Sequence, residues 1–179
     1  YKKVKTAAST SLISCLVLGG VLTALGIALT PALMRAIDTP ENIFNESALY
    51  LAIYVGGFTF LFIYNIANGI FNSLGDSKTS LYFLIFSSVF NVVLDYVLVV
   101  FFNMGVGGVA WATFIAQGIA GVLSVITLLK RLKTLPVTEK TEMFSFELLK
   151  RIARISIPSV LQQSFVSVGN VFIQKLING

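Results

Sequence analysis

Stretches of about residues 7–36, 47–74, 80–102 and 106–129 are each longer and more apolar than one soluble core accommodates. A bilayer's hydrocarbon core is about 30 Å thick, and a helix needs about 20 predominantly apolar residues to cross it. Each stretch reaches that length, so each reads as a transmembrane helix. A fifth run, from about Ser156 to the end, reads as a truncated span. The composition agrees: 56% of residues are hydrophobic and 12% charged, whereas an ordinary soluble domain is about 45–50% apolar and about 25% charged. A lone anchor on a soluble domain does not produce such values. The first run is too long for a signal peptide, and no cleavage site with a soluble domain follows it. Tyr1 stands where a methionine would open a chain, and Asn178-Gly179 closes it inside a run, as in a piece of a longer protein. The fold class expected is all-α, a polytopic membrane helix bundle.

Charge placement sets an orientation. Lys2, Lys3 and Lys5 precede the first span, and Arg35 with Asp38, Glu41 and Glu46 follows it. Asp76 and Lys78 follow the second. After the fourth come Lys130, Arg131, Lys133, Lys140, Lys150, Arg151 and Arg154. If the chain crosses at every span, nearly all cations fall on one side, which the positive-inside rule makes cytoplasmic. The fragment's N-terminus is then cytoplasmic, in a multi-pass protein of the cytoplasmic membrane. The net charge of +5 is a topology signal, and no nucleic-acid partner is expected.

Three segments follow: residues 1–130 as four spans of a first bundle, 131–155 as a cytoplasmic linker with a basic amphipathic helix, and 156–179 as the start of a second bundle. In FELLKRIARISIPS, Phe146, Leu149, Ile152 and Ile155 recur every third residue with Lys150, Arg151 and Arg154 between them. That pattern suits a membrane interface.

Chemistry is restricted by what is scarce. The sequence has no histidine and one cysteine, Cys15, so an internal disulfide and a Cys/His zinc site are excluded. No paired carboxylates lie within the spans, and no enzyme and no cofactor are expected. Polar residues within the spans fall into stripes. Asn91 and Asp95 are one turn apart on the third span, Asn65, Asn68 and Asn72 share a face of the second, and Thr113 and Gln117 a face of the fourth. Amides and hydroxyls can act as interhelical glue worth about 0.6–2 kcal/mol each. A central carboxylate costs at least about 2.5–3.5 kcal/mol to insert, and Asp95 is the only acid well inside a span. An acid at that depth can exchange a proton as water access alternates. Alternatively, ionised Asp95 with oxygens of Asn68, Asn91 and Thr113 forms a cage for a hard cation such as Na⁺. Either chemistry belongs to an ion-coupled membrane protein.

NGIFNSLGDSKTSLYFLIFSSVFNVVLDYVLV followed by MGVGGVAWATFIAQGIAG resembles the multidrug and toxic compound extrusion (MATE) family. The resemblance rests on a small-x-Gly-Asp turn, then Asn-x-x-x-Asp, then Gly-x-x-Gly-x-Ala-x-Ala-Thr. IPSVLQQSFVSVGNVFIQKLING resembles that family's seventh helix, so the chain corresponds to helices three to seven. The resemblance implies two six-helix bundles, alternating access, and export of cationic or amphipathic drugs against Na⁺ or H⁺. It implies coupling-ion ligands at Asp95, Asn91, Asn68 and Thr113, completed by an aspartate on an earlier helix. It also implies partners: membrane lipid, a drug-like small molecule, and the remaining helices of both bundles. Gln163, Ser167, Asn170 and Gln174 share one face of the last helix and are candidates for a substrate path. Two other readings are a lipid-linked oligosaccharide flippase of related fold, disfavoured by the absence of interior cations, and a non-transporting membrane scaffold.

Overall fold

The computed structural model describes residues 2–37, 39–136 and 142–178. Asp38, Glu139 and Lys140 of the charge pattern lie outside the described residues, as do the side chains of Gln174 and Lys175. The described residues form helices α1 (Lys2–Ala36), α2 (Glu41–Gly56), α3 (Phe58–Ser73), α4 (Ser77–Tyr96), α5 (Gly105–Lys133) and α6 (Phe146–Asn178). A π-helical segment, Val97–Phe101, extends α4. Four spans are long and apolar enough to cross a membrane: Lys2–Ala36, Glu41–Ser73, Ser77–Phe101 and Gly105–Lys133. The chain is a multi-pass membrane helix bundle.

The second span, expected as one helix from about residue 47, starts at Glu41 and breaks at Gly57. The Gly57 N–H donates to the carbonyls of Ile53 and Tyr54, tightening the last turn of α2, and its own carbonyl accepts from Leu61. The position is crowded: a Cβ at Gly57 would lie 3.2 Å from Oε1 of Gln117 on α5 and 3.2 Å from the Tyr54 carbonyl oxygen.

The Gly-Asp turn between α3 and α4 is built from two local motifs. Gly75 has φ +78°, its N–H donates to the Asn72 carbonyl, and the Asp76 N–H donates to the Phe71 carbonyl. This pairing closes a helix by the Schellman arrangement, which favours glycine at the left-handed position. Asp76 then starts the next helix: its carboxylate accepts from the Thr79 N–H at 3.3 Å and the Thr79 hydroxyl at 2.9 Å, satisfying a backbone donor left open at a helix N-terminus.

Helix α5 is the packing centre, set against α2, α3 and α4. Its buried face is made of small residues, including Gly108, Ala112, Ala116, Ala120 and Gly121. A Cβ at Gly121 would come 3.0 Å from the Phe60 carbonyl oxygen, and one at Gly108 3.3 Å from that of Leu98. Without a hydrophobic drive between helices in lipid, such close backbone approach is what holds them together. Toward the other end of α5, Ala8, Leu12, Ala67, Phe71, Leu128 and Leu132 form the main core cluster, joining α1, α3 and α5. The outward faces are strongly apolar and exposed, as with Val17 at 64% and Val92 at 66%, which suits a lipid surround.

Helix α6 joins two segments named separately from the sequence. The basic amphipathic segment and the expected fifth span form one unbroken helix through Pro158. The glutamines, serines and Asn170 along it keep its described part out of the set of membrane-crossing helices. Its start is tied to the bundle: the Ser145 N–H donates to the buried hydroxyl of Thr10 at 3.1 Å, while Lys5 Nζ donates to the Leu135 carbonyl at 3.2 Å. From Ile155 to Val168 its residues are exposed.

Candidate functional site

Asn91 and Thr113 meet where α4 crosses α5. The Asn91 amide donates to the Thr113 hydroxyl over a long 3.5 Å. Asp95 stands one turn further along α4 and is half-buried. Its Oδ1 is buried and has no hydrogen-bond partner among the described residues. The π-helical segment begins just after it, at Val97, with the Phe102 N–H reaching back to the Val97 carbonyl. Insertions of this kind shift a side chain's direction along a helix and recur at functional positions. Among the described residues no group of three His, Cys, Asp or Glu is placed to hold a metal ion. A cation at this seam would therefore be held by one carboxylate with amide and hydroxyl oxygens, a donor set suited to a hard, singly charged ion.

Asn68 is not brought to that seam. Helices α3 and α5 run in the same direction, as their facing residues show: Gly57 faces Gln117, Phe60 faces Gly121, and Phe71 shares a core with Leu128 and Leu132. Asn68 therefore lies level with the far part of α5, about fifteen residues and so roughly 20 Å of helix axis from Thr113. The helical period places a residue on a face but says nothing of depth, which is why the expected four-residue cage separates into two levels. The neighbouring stripe residues Asn65 and Asn72 are exposed, and the Asn65 amide donates to the Leu61 carbonyl at 2.8 Å. Gln117 is half-buried against the α2–α3 junction.

Two further interior polar groups have no signature in the sequence. The Tyr64 hydroxyl and the Ser124 hydroxyl are buried without partners among the described residues, as is Oδ1 of Asn68. A lone tyrosine and a lone serine in apolar runs read as ordinary helix content. Their burial depends on how the helices pack, which no single helix records.

On α6, Gln163, Ser167 and Asn170 are exposed, and the Ser167 hydroxyl donates to the Gln163 carbonyl at 2.9 Å. They lie beyond an apolar cavity of about 600 Å³ between α1, α3 and α6, where Ser14, Asn65 and Phe62 face Leu149, Ile157 and Leu161. Ligand cavities commonly fall in the range of about 300–1,000 Å³.

Close-packed spans around a single interior acid make a polytopic membrane bundle. The MatE family model matches residues 1–97, and the chain belongs to the MATE family of multidrug efflux transporters. A curated relative, a probable multidrug resistance protein YpnP of Bacillus subtilis (strain 168), is 34% identical over 155 residues, covering 87% of this chain and 34% of that protein. Two solved structures share the fold. An outward-facing multidrug resistance MATE family transporter of the MOP superfamily is 25% identical with TM-score 0.81, over 92% of this chain and 37% of that one. A MOP superfamily transporter from Pyrococcus furiosus Vc1 (DSM3638), described as having a binding pocket of reverse polarity that suggests a different function, is 26% identical with TM-score 0.81, over 92% and 36%. The chain spans between a third and two fifths of the length of the curated relatives it matches.

Proposed function

We propose that this chain forms part of an ion-coupled antiporter that exports cationic or amphipathic compounds, with Asp95 as the coupling carboxylate. The observation that carries this reading is a buried Asp95 oxygen, one turn from the Asn91–Thr113 pair, without a partner among the described residues. A carboxylate in low dielectric is costly when charged and unpaired. A proton on Oδ1 removes that cost, and so does Na⁺ held by the carboxylate with the Asn91 carbonyl oxygen and the Thr113 hydroxyl oxygen. Each state favours a different closeness of α4 and α5, so ion binding is coupled to helix packing. A cationic substrate is favoured while Asp95 is ionised and disfavoured once the ion has bound, which gives exchange its direction. The apolar cavity beside α6, with Ser14 and Asn65 at its wall, supports an amphipathic substrate. The exposed amides of Gln163 and Asn170 supply the polar side of the path. The lysines at the start of α1 and the end of α5 support a cytoplasmic N-terminus.

The test uses the full-length protein in proteoliposomes, with ethidium efflux driven separately by a Na⁺ or a pH gradient. Wild type is expected to respond to at least one gradient, and Asp95→Asn, purified as a monodisperse species, to respond to neither. Full gradient-driven efflux by the variant removes the assignment.

A further inference from the structure

Tyr64 follows Gly57 by seven positions, and Ser124 follows Gln117 by seven. Gly57 and Gln117 face each other, and α3 and α5 run in the same direction from there. Seven residues are close to two full turns, so Tyr64 and Ser124 return to the facing sides at one level. Asn68, one turn beyond Tyr64, continues the same face of α3. Phe71, on that face, stacks near Phe83 of α4 with ring centres 6.1 Å apart, so this side of α3 looks toward α4 as well as α5.

The buried Tyr64 Oη, Ser124 Oγ and Asn68 Oδ1 all lack partners among the described residues. Several other helical hydroxyls behave differently, although that of Ser14 on α1 is likewise buried without a partner among the described residues. Thr30, Ser73, Ser159, Ser164 and Ser167 each donate to the carbonyl four residues earlier. Ser124, with 0% exposure, does not. Polar groups converging in a buried place with unmet hydrogen-bonding capacity are where interior water is found. On α5 the face carrying Ser124 also carries Gln117 and Thr113, spaced seven and four. Thr113 is bonded to Asn91, and Asp95 follows one turn on.

We propose that water occupies the space among Tyr64, Ser124 and Asn68 and continues past Gln117 to the Asn91–Thr113 pair, forming the route by which a proton travels between Asp95 and the end of the bundle at the α3–α4 turn. Each hydroxyl and each water accepts one proton on oxygen and releases another, so a proton entering near Asn68 emerges on the Asp95 carboxylate with no net change between. The amides of Asn68 and Gln117 orient the waters by donating and accepting. The hydration stands on the orphaned groups alone; its role as a proton route rests on Asp95 being the coupling acid.

Two experiments on the full-length protein test this. In a cysteine-free background with Cys15 replaced by serine, Ser124→Cys is compared with Ala120→Cys, one turn away and 1% exposed. A small cationic methanethiosulfonate should modify the first about tenfold faster, because the reactive thiolate needs water. Equal inertness of both overturns the hydration. In proteoliposomes driven by a pH gradient, Tyr64→Phe and Ser124→Val should each lower turnover severalfold with the substrate KM unchanged, while Ser124→Thr retains turnover. Undiminished turnover in the first two, with Asp95→Asn inactive, overturns the route and leaves the coupling acid standing. Full coupling in Asp95→Asn overturns the coupling reading itself, and efflux driven by Na⁺ alone overturns a proton route.

Discussion

Helices α4 and α5 lie side by side and are built on opposite terms. Helix α5 buries Gly108, Ala110, Ala112, Ala116, Ala120, Gly121 and Ser124, among others, and is hemmed in by α2, α3 and α4. Helix α4 has no buried residue at all, and Tyr82, Val89 and Val92 stand well exposed along it. Yet the one interior acid is on α4. Helix α5 meets α2, α3 and α4, whereas α4 packs chiefly against α5 and α3. The pairing therefore joins a wall packed on several sides, carrying Thr113, to a more exposed strut carrying Asn91 and Asp95.

Substitutions that attack the wall should cost more than those that attack the strut. Gly121→Val drives a branched side chain against the Phe60 carbonyl, 3.0 Å from the Cβ position, and should destabilise the full-length protein by about 1–3 kcal/mol or more. Thermal unfolding in detergent measures this, and an unchanged midpoint breaks the view of α5 as close-packed. Next comes the bond across the two helices. Thr113→Val leaves the Asn91 amide without its acceptor, for a loss of about 0.6–2 kcal/mol, read by the same unfolding. Asp76→Ala removes the cap that starts α4 and should cost about 1 kcal/mol, with hydrogen exchange rising in the first turn of α4 and not in α5. The smallest effect belongs to the outer face of the strut: Val92→Leu, at a 66% exposed position, should stay within about 0.5 kcal/mol of wild type. A large loss there would mean that α4 is packed as firmly as α5.

The same contrast explains what was legible in the sequence. Span positions are written in length and apolarity, because hydrocarbon thickness is a fixed ruler. That Asn91 and Asp95 share a face is written in spacing, because residues four apart lie on one side of a helix. What depends on one helix meeting another is not written there. The meeting of Gly57 with Gln117 and the separation of Asn68 from Thr113 both follow from how far α3 is slid along α5. The unbroken course of α6 past Pro158 shows the converse, since a proline marks a possible boundary and the chain on either side decides whether one forms. Tyr64 and Ser124 gain meaning only through the Gly57–Gln117 register, which no single helix contains.

Ion release on substrate binding is the most direct measurement. Purified full-length protein, in weakly buffered solution with a pH indicator or with radiolabelled sodium already bound, is mixed with ethidium. Wild type should give up a proton or a sodium ion as the drug binds, and Asp95→Asn should bind ethidium without releasing either. Equal release from the two proteins would contradict a role for this acid as the residue that the travelling ion discharges.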